Sequence, residues 1–102
     1  MRVPRHKYRA VRTELDGIKF ASKKEAEYYA KLKMAYDGKG IVGFLRQVPF
    51  YLDGVKYVCD YLVFNIDGST SFIDVKGVRT PQYKAKMKQM RVLYPWVTIE
   101  EV

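Results

Sequence analysis

The chain has one cysteine, one histidine and one tryptophan among its 102 residues. A single cysteine closes no internal disulfide, and one cysteine with one histidine cannot make a four-ligand zinc site. The same scarcity excludes a histidine-rich nuclease, a Cys/His protease and any Ser-His-Asp triad not built on His6. No apolar run approaches the ~20 residues of a membrane span. Met1-Arg2-Val3-Pro4-Arg5 offers no apolar signal core, so a cytoplasmic protein without a membrane partner is expected. Acid is the scarcer charge, with 11 Asp+Glu against 19 Lys+Arg and a net charge of +8. The aromatic content of 15% excludes a disordered chain, and the length suits one small domain on a single core.

The positive charge is uneven. Residues 1–13 hold Arg2, Arg5, Lys7, Arg9 and Arg12 and no acid, which leaves 14 basic against 11 acidic residues in 14–102. The expected organisation is a basic N-terminal arm, 1–13, and one domain, 14–102. Such an arm suits a polyanion, most often nucleic acid, and is otherwise a solvated terminus.

Four Asp-Gly pairs, at 16–17, 37–38, 53–54 and 67–68, punctuate the chain as turns. Val11, Thr13 and Leu15 followed by Ile18 and Phe20 predict a small first hairpin. Ser22-Lys23-Lys24-Glu25 is a capping-box pattern, and it opens a helix ending near Tyr36. Residues 42–52 and 55–66 predict two strands joined at Asp53-Gly54, and 71–76 a third. Thr80-Pro81 supplies an N-cap and a first-turn proline for a second helix reaching Leu93. Residues 96–102 close the pattern as a strand. The order α-β-β-β-α-β predicts an α/β fold, a mixed sheet flanked by two helices, its last crossover right-handed and its last pair parallel.

Phe72-Ile73-Asp74-Val75-Lys76-Gly77 places Asp74 and Lys76 on one face of a central strand, where apolar residues are usual on both faces. Asp60 is the only acid in an apolar strand, and a buried carboxylate needs a cation, a donor or a metal. Each has an ordinary alternative, as a local ion pair or a satisfied buried acid. Whether the two meet depends on the turn at Asp67-Gly68. A two-residue turn sends Asp74 to the other side of the sheet. A three-residue loop with Gly68 left-handed pairs Asn65 with Ser69 and sets Asp60 opposite Asp74. A four-residue loop sets Asp60 opposite Lys76. A two-residue turn at Asp53-Gly54 places Gln47 opposite Asp60, within reach of its carboxylate; alternatively Gln47 is an ordinary polar residue on an edge strand, as Pro49 suggests.

Glu25 completes the capping box, yet it also heads the stripe Glu25, Tyr29, Leu32, Tyr36, which should face the sheet. A site of Glu25, Asp60, Asp74 and Lys76 is chemically coherent. Phosphodiester cleavage needs charge stabilisation and an activated water, which a hard divalent cation held by carboxylates provides. Asp60, Asp74 and the carbonyl of Val75 could hold Mg²⁺ or Mn²⁺, with Glu25 in reach and Lys76 beside the phosphate. On the second helix Lys84, Lys88 and Arg91 form a basic stripe suited to phosphates, or simply a solvated face, opposite an apolar stripe of Tyr83, Met87, Met90 and Tyr94.

The order Glu25, Asp60, Asp74-Val75-Lys76 on this element pattern resembles the PD-(D/E)XK nuclease superfamily. The run Phe20 to Tyr29, with Arg46-Gln47-Val48-Pro49-Phe50 and Asp74-Val75-Lys76-Gly77-Val78-Arg79-Thr80, is similar to a small phage-encoded family defined as a domain of unknown function, over roughly residues 7–102. The resemblance implies a restriction-endonuclease-like core and Mg²⁺- or Mn²⁺-dependent DNA cleavage. It assigns catalytic roles to Glu25, Asp60, Asp74 and Lys76, with Gln47 at a polar position near the site. Cys59 stands where the superfamily pattern has proline. Members of the superfamily include restriction enzymes, repair nucleases and Holliday-junction resolvases. A chain without room for a sequence-reading domain is expected to read DNA shape, such as a junction, and a resolvase task implies a homodimer.

Overall fold

The computed structural model describes residues 13–76 and 78–102. The basic arm residues Arg2, Arg5, Lys7, Arg9 and Arg12, with Val11 and Gly77, lie outside the described residues. The elements run β1 (Thr13–Leu15), β2 (Ile18–Phe20), α1 (Lys23–Asp37), β3 (Ile41–Tyr51), β4 (Lys56–Asn65), β5 (Thr70–Asp74), α2 (Pro81–Leu93) and β6 (Ile99–Glu101). β1 and β2 form the expected hairpin. The other four strands form one mixed sheet in the order β3-β4-β5-β6, antiparallel except for the parallel β5–β6 pair.

The helices start where their caps dictate. The Ser22 hydroxyl accepts from the Glu25 N–H at 3.0 Å, and Thr80 does the same for Tyr83 at 3.1 Å with Pro81 in the first turn. The end of α1 is closed by the Gly38 N–H, bonded to the Met34 carbonyl at 2.9 Å.

Two cores lie on opposite faces of the sheet, as adjacent residues of β5 show. Ile73 packs with Phe20, Ala26, Tyr29, Leu32, Tyr61 and Val63 beneath α1. Phe72 packs on the α2 side with Phe50, Tyr57, Cys59, Tyr83, Met87 and Met90. Each fully buried ring contributes roughly 1.5–3 kcal/mol through burial. The stripe on α2 packs as its spacing predicts. On α1, Glu25, Tyr29 and Leu32 are buried, but Tyr36, in the last turn of the helix, is half exposed.

Three expectations change. β5 stops at Asp74 rather than Lys76, and β6 starts at Ile99 rather than Trp96. Residues 94–97 instead make a turn closed by Val97 N–H to the Tyr94 carbonyl at 3.0 Å, with Pro95 at its second position, where the fixed φ of proline suits a turn. Simple alternation also fails along the β3–β4 ribbon. Phe44, Tyr61 and Val63 face α1, whereas Val48, Phe50, Tyr57 and Cys59, of the same parity in each strand, face α2. The ribbon turns over between the pairs Arg46–Tyr61 and Val48–Cys59, where Gln47 has a left-handed backbone with φ of 55°.

Candidate functional site

Two turns bring the acids together. At Asp53-Gly54 the Leu52 N–H bonds the Val55 carbonyl at 2.9 Å, and the ladder that follows sets Gln47 opposite Asp60. At Asp67-Gly68 the three-residue loop is the one observed. Asn65 N–H bonds the Ser69 carbonyl at 2.9 Å, and Gly68 is left-handed with φ of 90°. The β4–β5 pairing Tyr61–Ile73 and Leu62–Phe72, continued by one residue, sets Asp60 opposite Asp74.

At that position the β4–β5 ladder ends, although Asp60 lies within β4, and the Val75 backbone is left facing its carboxylate. The Val75 N–H donates to Asp60 Oδ2 at 2.8 Å. Gln47 Nε2 donates to Asp60 Oδ1 at 3.3 Å and to Glu25 Oε2 at 3.2 Å, so one amide ties the helix acid to the strand acid. A left-handed non-glycine residue inside a strand is strained by about 1–3 kcal/mol. Here the strain accompanies an amide aimed between two carboxylates. Asp74 is buried and accepts from the Tyr57 hydroxyl at 2.6 Å. Lys76 Nζ lies 3.6 Å from Asp74 Oδ2 and 4.1 Å from the centre of the Tyr83 ring.

Charge shapes the site further. Burial, and then the neighbouring Asp60 carboxylate, push Asp74 up to about 6, against the opposing effects of Tyr57 and Lys76. Burial also raises Glu25, with Asp74 adding to it and Arg46, the Ala21 backbone and Lys76 pulling the other way. An open cleft of about 380 Å³ exposes this edge and is lined by Lys19, Ala21, Glu25, Arg46, Gln47 and Asp60.

All five candidate site residues meet here, though not at one point. Among the described residues, no group of three or more His, Cys, Asp or Glu side chains is gathered as a metal site. Glu25 is joined to the aspartate pair through Gln47. The donors that suit a hard cation are therefore Asp60, Asp74 and the Val75 carbonyl. Their fit is electrostatic as well: the Asp60 carboxylate adds to burial in raising Asp74, and a divalent cation between the two would offset that repulsion.

Four participants were not singled out from sequence. Arg46 lies 3.7 Å from Glu25 Oε2 and 4.6 Å from the centre of the Phe20 ring, and Lys19 shares its cleft. Lys24 Nζ donates to the Lys76 carbonyl at 3.0 Å. Arg46 was one register step from Gln47 and could have been found. Tyr57 could not, because it reaches Asp74 only where the ribbon turns over. Lys84, Lys88 and Arg91 are exposed on α2, away from this cleft.

Fold and site together define a small mixed α/β domain with a carboxylate pair and a lysine where the β4–β5 ladder ends. The model for proteins of unknown function DUF1064 matches residues 5–101, and the chain belongs to that family. No curated protein and no solved structure matches it. Among the described residues, no helix is long and apolar enough to cross a membrane.

Proposed function

We propose that the protein is a metal-dependent DNA endonuclease with a PD-(D/E)XK-type site on a restriction-endonuclease-like core, selective for branched or junction DNA. The observation that carries this is the facing pair Asp60 and Asp74, with Lys76 at 3.6 Å and Glu25 tied in through Gln47. Asp60, Asp74 and the Val75 carbonyl would hold Mg²⁺ or Mn²⁺. The cation, when bound, supplies Lewis-acid charge and lowers the pKa of a bound water. Tyr57 and the Val75 N–H fix the two carboxylates, and Gln47 keeps Glu25 and Asp60 in a set relation. Lys76 brings positive charge to the edge where a phosphate would lie. The phosphate backbone would be held by Lys84, Lys88 and Arg91 and by the basic arm, which neutralise charge without reading sequence. Resolving a branch on two strands takes two sites, hence a homodimer.

Incubating the parent and Asp74→Ala with branched and linear DNA in Mg²⁺ tests this. The parent is expected to cut, branched DNA fastest, and Asp74→Ala to bind without cutting. Equal cleavage by both rejects it.

A second reading, DNA binding without catalysis, has its own support. Asp60 and Asp74 already accept from Val75, Gln47 and Tyr57, as structural acids do. Mn²⁺ titration separates the two: a nuclease site binds the ion and loses it in Asp60→Asn, while structural acids show no response.

A further inference from the structure

We propose that Trp96 is a stacking platform for an unpaired base of single-stranded DNA, flanked by the basic face of α2. This rests on the nucleic-acid part of the reading above and not on cleavage. Trp96 is the only tryptophan in the chain and is 76% exposed. Tryptophan is enriched at interfaces, where its apolar ring and polar N–H can both meet a partner.

Its mounting is rigid. The turn before it is closed by Val97 N–H to the Tyr94 carbonyl. The indole meets the Tyr94 ring edge to face, with centres 5.9 Å apart. Tyr94 is pinned in turn: its N–H bonds the Met90 carbonyl at 2.8 Å, its hydroxyl bonds the Tyr51 carbonyl at 3.0 Å, and its ring packs against Phe50. At 76% exposure the indole keeps an open face beside Tyr94. A stacking side chain that is already ordered loses little entropy when a base arrives.

Charge decides the partner. α2 carries Lys84, Lys86, Lys88 and Arg91 and no acid. Arg91 and Pro95 line the same cleft of about 450 Å³, so Arg91 stands beside the turn that carries Trp96; the acid in that cleft, Glu101, is already ion-paired with Arg79 at 3.3 Å. Aromatic faces set among cations are how proteins hold single strands without reading sequence, stacking supplying affinity and the cations following phosphates. A second copy of this chain is the poorer occupant, although Val92 is also exposed here. Two-fold docking would bring the basic face of one α2 against that of the other, and like charges oppose it. A branched or flapped DNA carries both parts, a duplex for the cleft and an unpaired base for the platform.

Because the indole is unique, its fluorescence reports on this site alone. Titrating Asp74→Ala protein in EDTA with oligothymidylate should quench Trp96 emission to saturation, with blunt duplex of equal length quenching far less. In anisotropy with labelled oligothymidylate, Trp96→Ala should bind about 5- to 100-fold more weakly and Trp96→Phe should recover most of the loss. Circular dichroism should be unchanged, since the side chain is outside both cores. Trp96 emission unaltered at saturating oligonucleotide, or an affinity of Trp96→Ala within twofold of the parent, overturns the proposal. Emission that changes when protein alone is diluted, with a matching sedimentation shift, assigns the face to a second copy and also overturns it. Failure of cleavage leaves quenching intact, and failure of quenching leaves duplex cleavage intact, so the two readings fall separately.

Discussion

Asp74 shows what a carboxylate does when its surroundings resist its charge. Its proton is held more tightly in the fold than in the unfolded chain, where an aspartate titrates near ~3.9. The sign follows from linkage: the native state binds more protons between those two values, so metal-free stability falls as pH rises from about 4 through about 6. Asp74→Asn removes that charge and can still accept from Tyr57. In EDTA at pH 7 the variant is expected to exceed the parent by roughly 1–3 kcal/mol, the difference fading toward pH 4. Urea unfolding at both pH values measures it. Adding Mg²⁺ should raise the parent and leave Asp74→Asn unmoved. Gln47 makes the complementary case. Gln47→Gly relieves the left-handed backbone and removes the amide between Glu25 and Asp60. Stability should hold or rise by about 1 kcal/mol while Mg²⁺-dependent cleavage falls. A variant that unfolds earlier in urea, or cuts as the parent does, contradicts that assignment.

Elements act here as rulers that bring separate side chains into one place. α1 begins at Ser22, and that start determines which residue of the helix overlooks the cleft. Ser22→Ala should lose about 0.5–2 kcal/mol through the missing cap. Because Glu25 lies in the uncapped turn, cleavage should drop more than the stability change alone explains, measured well below the melting temperature. The capping pattern and both Asp-Gly turns were legible in the sequence, since caps and tight turns are local chemistry. The loop at Asp67-Gly68 was legible only as a choice among registers, because two, three and four residues all close a hairpin. The three-residue loop observed is braced from within, Asp67 Oδ1 accepting from the Ser69 N–H at 2.9 Å and from its hydroxyl at 2.6 Å. The ends of β5 and β6 were overextended in the sequence reading for the same kind of reason. Alternation does not reveal where a strand loses its partner.

Across the whole molecule, charge is divided by task. Asp60 and Asp74 gather where the β4–β5 ladder ends, with Glu25 tied in through Gln47, and exposed cations line α2 on the other side of the sheet from α1. The arm adds five positive charges in residues 1–13. Deleting residues 1–10 removes Arg2, Arg5, Lys7 and Arg9, and should weaken DNA binding and flatten the dependence of log K on log salt, by a slope change of about 3–4. Binding measured between low and moderate salt checks this. An unchanged slope would show that the arm makes no phosphate contact.

Residue pattern alone dictated the α-β-β-β-α-β order, both helix caps and the pairing of Gln47 with Asp60, because each depends on neighbours within a few residues or on a ladder counted from a tight turn, and it indicated the parallel last pair through the β-α-β crossover. It also supplied the family resemblance. Tertiary structure alone decided that Asp60 faces Asp74, that Tyr57 reaches Asp74 and that Lys19 shares the cleft with Glu25. These depend on which of several permitted registers packs best and on a ribbon that turns over at Gln47. No local preference encodes that reversal. It arises because one half of the ribbon must cover α1 and the other half α2, and the chain meets both demands only by straining one residue between them.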